Sequence, residues 1–370
     1  MLYHLSELFP QSPLNVFRYV TFRSAGAAFT ALFLSLWLGP HIIDWLQRLK
    51  LRQDYSDKAE DSSITHKNTG KRGTPTMGGL LIVLAVDISV LLWARWNPFV
   101  LLTILTLVVF AALGFYDDWL KVTQQNNRGT HGRYKIFIQL ALSIVICGYV
   151  WYRPETRNII SDIQIPFLKN AVLTGVPLLG SLLAVLVIVG SSNAVNLTDG
   201  MDGLAIGCTL IVGVVFAVLT YVAGHKIFAS YLLVPFVSEA AELTVVCGGL
   251  IGASLGFLWF NCHPAQVFMG DTGSLAIGGM LGTMSILVHQ PFILLIAGGV
   301  FVAEALSVIL QVGYFKYSRR RFGTGRRIFK MSPLHHHYRE LGWAESKIVT
   351  RFYIISILCA VAALSTLKLR

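Results

Sequence analysis

The feature that most constrains this chain is a recurring apolar run about as long as a bilayer is thick. Ten such runs lie near 22–46, 76–96, 98–116, 135–152, 172–191, 203–223, 241–260, 273–289, 292–313 and 347–367. A helix needs roughly 20 apolar residues to cross hydrocarbon, because each residue advances it about 1.5 Å. With 54% hydrophobic and only 13% charged residues, the 370-residue chain cannot clothe these runs in a water-facing surface. The expected fold is all-α: one polytopic integral membrane domain with about ten transmembrane helices and its active-site loops in the cytoplasm. Asn97-Pro98 and Gln290-Pro291 punctuate neighbouring spans, since proline disfavours helix at the residue before it.

Loop charge orients the spans. Twenty of the 30 Lys and Arg fall in the connections after spans 1, 3 and 9 or just beside them, with Arg319, Arg320 and Arg321 the densest group. The positive-inside rule therefore puts odd-numbered connections in the cytoplasm, and an even number of spans puts both termini outside. The formal net charge of +11 is spread over loops and not gathered with aromatics on a soluble domain, which argues against nucleic acid. Cys147, Cys208, Cys247 and Cys359 sit in apolar runs and read as packing residues, while Cys262-His263 alone is too little for zinc. The N-terminus has no basic segment leading to a small-residue cleavage site, so no removed signal peptide is expected.

Odd-numbered connections also carry every polar motif. These are 71–79 (KRGTPTMGG), 117–121 (DDWLK), 191–203 (SSNAVNLTDGMDG), 261–274 (NCHPAQVFMGDTGS) and 331–342 (MSPLHHHYRELG). Five connections on one face can converge on one site. Asp117 and Asp118 end an apolar run, with Lys121 one helical turn beyond Asp117. Adjacent acids resist joint ionisation unless a cation compensates, so a divalent metal or the lysine is expected beside them; a cap with a surface ion pair is the plainer alternative.

Asn193, Asn196, Asp199 and Asp202 recur every third residue and would share one helical edge if a helix began there. Capping by Asp199 with turns at Gly200 and Gly203 is the simpler reading, but it leaves four oxygen-bearing side chains without a purpose. Oxygen donors without soft ligands suit Mg or Mn and not zinc. Asp271 lies between Gly270 and Gly273 at a helix start, where a backbone can approach phosphate, and Phe268 can stack on a base or dip into the interface. His335, His336 and His337 are consecutive, so they splay too widely to ligate one metal; with Arg326, Arg327 and Lys330 they suit phosphate or sugar contacts, or lipid headgroups.

KRGTPTMGG, DDWLK, NAVNLTDGMDGLA, PAQVFMGDTGSLAIGG and MSPLHHHYRELGW, in this order and spacing, resemble the phospho-N-acetylmuramoyl-pentapeptide transferase family from the first span to the C-terminus. The resemblance implies a bacterial inner-membrane enzyme, usually homodimeric, that moves phospho-MurNAc-pentapeptide from UDP-MurNAc-pentapeptide to undecaprenyl phosphate. Lipid I and UMP are then the products and Mg2+ the cofactor. It places the family's acidic pair on Asp117 and Asp118 and its metal-binding aspartate on Asp271. Nucleotide-binding positions fall on Lys71, Asn196, Asp199, Asp202 and Phe268, and the histidine motif on His335, His336 and His337. The segment 54–68 (DYSDKAEDSSITHKN) is longer and more polar than the family pattern leads one to expect.

The chemistry follows from the residues. A lipid phosphate must attack an anionic diphosphate, so metal and fixed cations have to offset the repulsion. Asp271 with Asp117 or Asp118 is expected to hold Mg2+, Asp117 to position or deprotonate the lipid phosphate, Lys121 and Lys135 to neutralise charge, and Asn193, Asn196, Asp199 and Asp202 to bind substrate. A polyprenyl-phosphate N-acetylhexosamine-1-phosphate transferase shares the acidic pair, but HHHYRELGW argues against it. A transporter is the rival of another class, because Asp87 and Glu304 fall inside predicted spans.

Overall fold

The structure, a computed structural model, describes residues 2–49, 74–124, 129–168 and 170–368; Lys71 lies outside them. A short α1 (Tyr3–Leu8) and a 3-10 turn (Pro13–Arg18) lead into α2 (Val20–Arg48). There follow α3 (Gly79–Trp93), α4 (Pro98–Thr123), α5 (Gly132–Tyr152), α6 (Arg157–Ser161), α7 (Pro177–Thr198), α8 (Leu204–Ala223), α9 (Lys226–Tyr231) and α10 (Leu243–Asn261). The chain ends with α11 (Gly270–Leu287), α12 (Pro291–Ala297), α13 (Gly299–Phe322), α14 (Leu334–Glu340) and α15 (Glu345–Ser365). Among the described residues there is no strand; Ile163 and Leu173 form an isolated bridge.

The apolar runs fall on helices, but the one near 292–313 is divided at Gly298 between α12 and α13. Among the described residues, eight helices are long and apolar enough to cross a membrane by length and composition: α2, α4, α5, α7, α8, α10 with its 3-10 lead-in, α13 and α15. The protein is thus all-α and polytopic. α3 is apolar but only 15 residues long, and α11, at 18 residues, is rich in glycine, serine and threonine. The outer surface shows why water is not the solvent. Phe29, Phe33 and Trp37 on α2, Leu178, Leu182 and Leu186 on α7, and Ile354, Leu358 and Val361 on α15 are exposed in rows three or four residues apart. Such stripes suit acyl chains, while the backbone groups beneath them are satisfied within the helices.

α11 is the axis of the fold. It packs on α4 and α7, and nearly all of its residues are buried. Its small side chains allow this, because helices in hydrocarbon gain from close backbone approach more than from bulk. α4 opens on the signal read from sequence: Asn97 accepts a hydrogen bond from the N–H of Val100 at 2.9 Å, and Pro98 occupies the first helical position. At the other end of α2, Arg23 is buried within a helix yet paired, donating to both carboxylate oxygens of Glu242 at 2.6 and 2.7 Å.

Two boundaries differ from the sequence reading in ways that matter. α7 continues to Thr198, so Asn193 and Asn196 lie on a membrane helix and not in a loop; the third-residue rhythm stops there. Asp199 closes that helix, and the next begins only after Gly203 at φ +79°. Asp199 is therefore a helix-end residue, not the N-cap of the simpler reading. α11 in turn starts at Gly270, three residues earlier than its apolar run, which puts Asp271 in the first helical turn.

Candidate active site

α4 and α11 approach so closely that one helix builds the other's polar end. A Cβ on Gly114 would overlap the backbone carbonyl of Asp271. Gly270, at φ +73°, lies where a Cβ would meet the Asp118 carboxylate and the Thr76 hydroxyl. The segment before α3 straps this junction from outside. Phe268 N–H donates to the Pro75 carbonyl at 2.9 Å, Gly78 N–H to the Phe268 carbonyl at 2.8 Å, and Gly79 N–H to the Met269 carbonyl at 2.9 Å. Two motifs 190 residues apart in the chain thus share one backbone ladder.

Three carboxylates meet at this junction. Asp117, Asp118 and Asp271 offer oxygens within 4.8 Å of one another. Asp118 is fixed to α11, its Oδ2 accepting the Thr272 N–H at 3.0 Å and the Thr272 hydroxyl at 2.9 Å. Asp117 accepts the Thr130 N–H at 2.7 Å and the Thr130 hydroxyl on its Oδ1. Two ammonium groups close the cluster. Lys121 Nζ lies 2.6 Å from Asp117 Oδ2 and 3.1 Å from Asp271 Oδ2, and Lys135 Nζ lies 2.7 and 2.6 Å from the same two oxygens. The i,i+4 pairing of Asp117 with Lys121 is the one expected from sequence. Three carboxylates against two lysines leave an uncompensated negative charge in a site where Asp117 is fully buried. An all-oxygen donor set with surplus negative charge fits a hard divalent cation such as Mg2+.

α7 supplies the third wall. Asn196 Nδ2 donates to Asp271 Oδ1 and to the Ser274 hydroxyl, both at 2.8 Å. Asp199 follows at the helix end; burial above all, and then the charges of Asp271 and Asp118, push its carboxyl up to about 8. Asp117, Lys135, Asn196, Asp199 and Asp271 thus come from α4, α5, α7 and α11, each at the end where an odd-numbered connection begins or finishes.

Other candidates stand apart from this cluster. Asn193 reaches across to α5, donating to Gln139 Oε1 at 2.9 Å. Asp202 belongs to a second group with His263 and Glu345: its Oδ2 is 2.8 Å from His263 Nδ1, and its N–H donates to Glu345 Oε1 at 3.0 Å. Phe268 is half-buried beside the strap. The histidine motif folds as α14. His335 is fully buried against Gly200, while His336 and His337 keep exposed surface. Thr130 and Thr272, which lock the two α4 aspartates, were not singled out by sequence reasoning. Thr272 sits inside a motif it did recognise, but nothing marked Thr130 beyond its place in a short polar connection.

The fold and this cluster agree with what the comparisons find. A family model described as glycosyl transferase family 4 matches residues 100–289, which include every carboxylate of the cluster and the wall residues of α5 and α7. A shorter model, phospho-N-acetylmuramoyl-pentapeptide-transferase signature 1, matches residues 71–83, the strap before α3 and the start of that helix. A curated phospho-N-acetylmuramoyl-pentapeptide-transferase of Desulfotalea psychrophila is 48% identical over 378 residues, covering 100% of both chains. The chain belongs to the phospho-N-acetylmuramoyl-pentapeptide-transferase family.

Proposed function

We propose that the protein transfers phospho-MurNAc-pentapeptide from UDP-MurNAc-pentapeptide to undecaprenyl phosphate, giving lipid I and UMP in peptidoglycan synthesis. The convergence of Asp117, Asp118 and Asp271 with Lys121, Lys135 and Asn196 carries the reading. In the transfer, a lipid phosphate oxygen forms a new bond to the sugar-bearing phosphorus as that atom's bond to the bridging oxygen breaks, and UMP departs with the electron pair. Both reactants are anions, so the dominant requirement is positive charge held in place before they meet. Lys121 and Lys135, each held by two carboxylates, supply part of it without reorganising.

Asp271, with Asp118 or Asp117, would hold Mg2+, which when bound neutralises diphosphate charge and steadies the leaving group. Asp117 takes the proton of the lipid phosphate or orients it, since Thr130 fixes its carboxylate within the cluster. Asn196, Asp199 and Asp202 bind the nucleotide side with Phe268, and His336 and His337 receive the phosphates or sugar. The site opens to the cytoplasm of a bacterial inner membrane, and ten spans leave both termini outside. Loop charge supports this orientation, as does the position of every cluster member at helix ends of one parity.

The test is UMP release from purified protein supplied with undecaprenyl phosphate, Mg2+ and either UDP-MurNAc-pentapeptide or UDP-GlcNAc. Release with the muramyl nucleotide alone, abolished by EDTA and restored by Mg2+, is expected. Release with UDP-GlcNAc only would assign the protein to hexosamine-phosphate transfer instead. In the same assay Gly200→Ala is expected to lower turnover by about tenfold or more, because its Cβ would strike the His335 ring beside Asp199 and force a shift of the kind that costs catalysis heavily. Unchanged turnover would show that the Gly200 contact does not shape the site.

A further inference from the structure

Glu304 is left without a task by the reaction above. It lies in α13, fully buried, and a carboxylate inside a membrane helix is too costly to keep without a partner. Its Oε1 accepts the backbone N–H of His335 at 3.2 Å; His335 Nδ1 also lies 3.2 Å away, but not in hydrogen-bond geometry. Among the described residues its other oxygen, Oε2, has no hydrogen-bond partner, so His335 is what holds this acid. His335 is itself fully buried, and its Nε2 edge is pressed against Gly200, where even a methyl group would collide. Gly200 directly follows Asp199, whose carboxyl feels Asp271 and Asp118. A single packed line therefore runs from Glu304 through His335 and Gly200 to the edge of the carboxylate cluster.

We propose that Glu304 is a positioning residue: it holds the backbone N–H of His335 at the start of α14, and thereby seats the ring that buttresses Asp199–Gly200 beside the reacting groups. The inference rests on the transferase reading for its consequence, not for its geometry. It also explains why His335, buried under its two half-exposed neighbours, differs from them. Contact with substrate falls to His336 and His337, whereas His335 works from behind. Glu304 is thus tied to the histidine motif rather than to an ion path.

Three variants and one spectrum test this in the full-length protein in lipid nanodiscs. Glu304→Met fills similar volume but offers no acceptor, and is expected to lower kcat for UMP release about 30-fold while KM for the sugar nucleotide stays within about twofold. Glu304→Gln keeps an oxygen for the His335 backbone N–H and is expected to recover most of that loss. In a His335→Asn background, Glu304→Met is expected to add less than about twofold, because both changes break one line. Full activity in Glu304→Met, failure of Glu304→Gln to rescue, or losses that multiply in the double variant would each overturn the proposal. One further readout needs no activity. In 15N-labelled samples the His335 backbone amide should exchange with solvent slowly in the wild type and about tenfold or more faster in Glu304→Met. Fast exchange in the wild type would refute the bond, whereas a slow amide in a protein that releases no UMP would leave the pair standing and reject the transferase reading.

Discussion

Asp271→Asn is expected to lower turnover by about a thousandfold or more, with no recovery at saturating Mg2+. Asp271 is the carboxylate on which the elements of the site converge. Its Oδ2 lies 3.1 Å from Lys121 and 2.6 Å from Lys135, and its Oδ1 receives Asn196 at 2.8 Å. An amide keeps the shape and the hydrogen bond from Asn196 but removes the charge that three partners share. Folding should survive, since Asp117 still pairs both lysines at 2.6 and 2.7 Å. What is lost is the anchor for the divalent cation and the balance that keeps the ammonium groups aimed at one point. Thermal unfolding close to wild type alongside the collapse of UMP release is the expected pair of results. Near-normal turnover at saturating Mg2+ would mean that Asp271 holds no metal on the reaction path.

Much of this site is legible before any fold is known, because the signal is chemical exclusion. Hydrocarbon tolerates no unpaired acid, so Asp117, Asp118 and Asp271 at the ends of apolar runs announce a shared purpose, and the parity of the connections says they can meet. They do, with Lys121, Lys135 and Asn196 among them. The structure puts Asn193 and Asp202 elsewhere for a local reason. The third-residue rhythm promised one helical edge, but α7 ends at Thr198 and the chain turns through Gly200 and a left-handed Gly203, so the edge is cut between Asn196 and Asp202. Asp202 instead faces His263 and Glu345, partners 61 and 143 residues away that no local pattern connects. The burial of His335 was equally hidden. Three consecutive histidines look equivalent in sequence, and only the packing of α14 on α13 separates the one facing Glu304 from the two facing out.

The second large effect falls on a residue with no chemistry of its own. Gly114→Ala is expected to cost about 1–3 kcal/mol of stability and to lower turnover by about a hundredfold. Gly114 lies one turn before Asp118 on α4, and its missing side chain is what admits the Asp271 carbonyl of α11. The obstacle would be backbone, not the end of a flexible side chain, so a methyl group cannot be absorbed by a rotamer change; the helices must part or slide. Sliding breaks the two bonds from Thr272 to Asp118 and moves Asp271 from Lys121 and Lys135, so the carboxylates lose their common centre while every reacting group stays in the protein. A substitution that merely weakened packing would lower the melting temperature and leave kcat of the folded fraction intact. Here kcat per folded molecule should fall, because the distance between α4 and α11 is itself the geometry of the site. Wild-type kcat in the folded Gly114→Ala protein would show that the cluster tolerates a wider helix separation than its close packing implies.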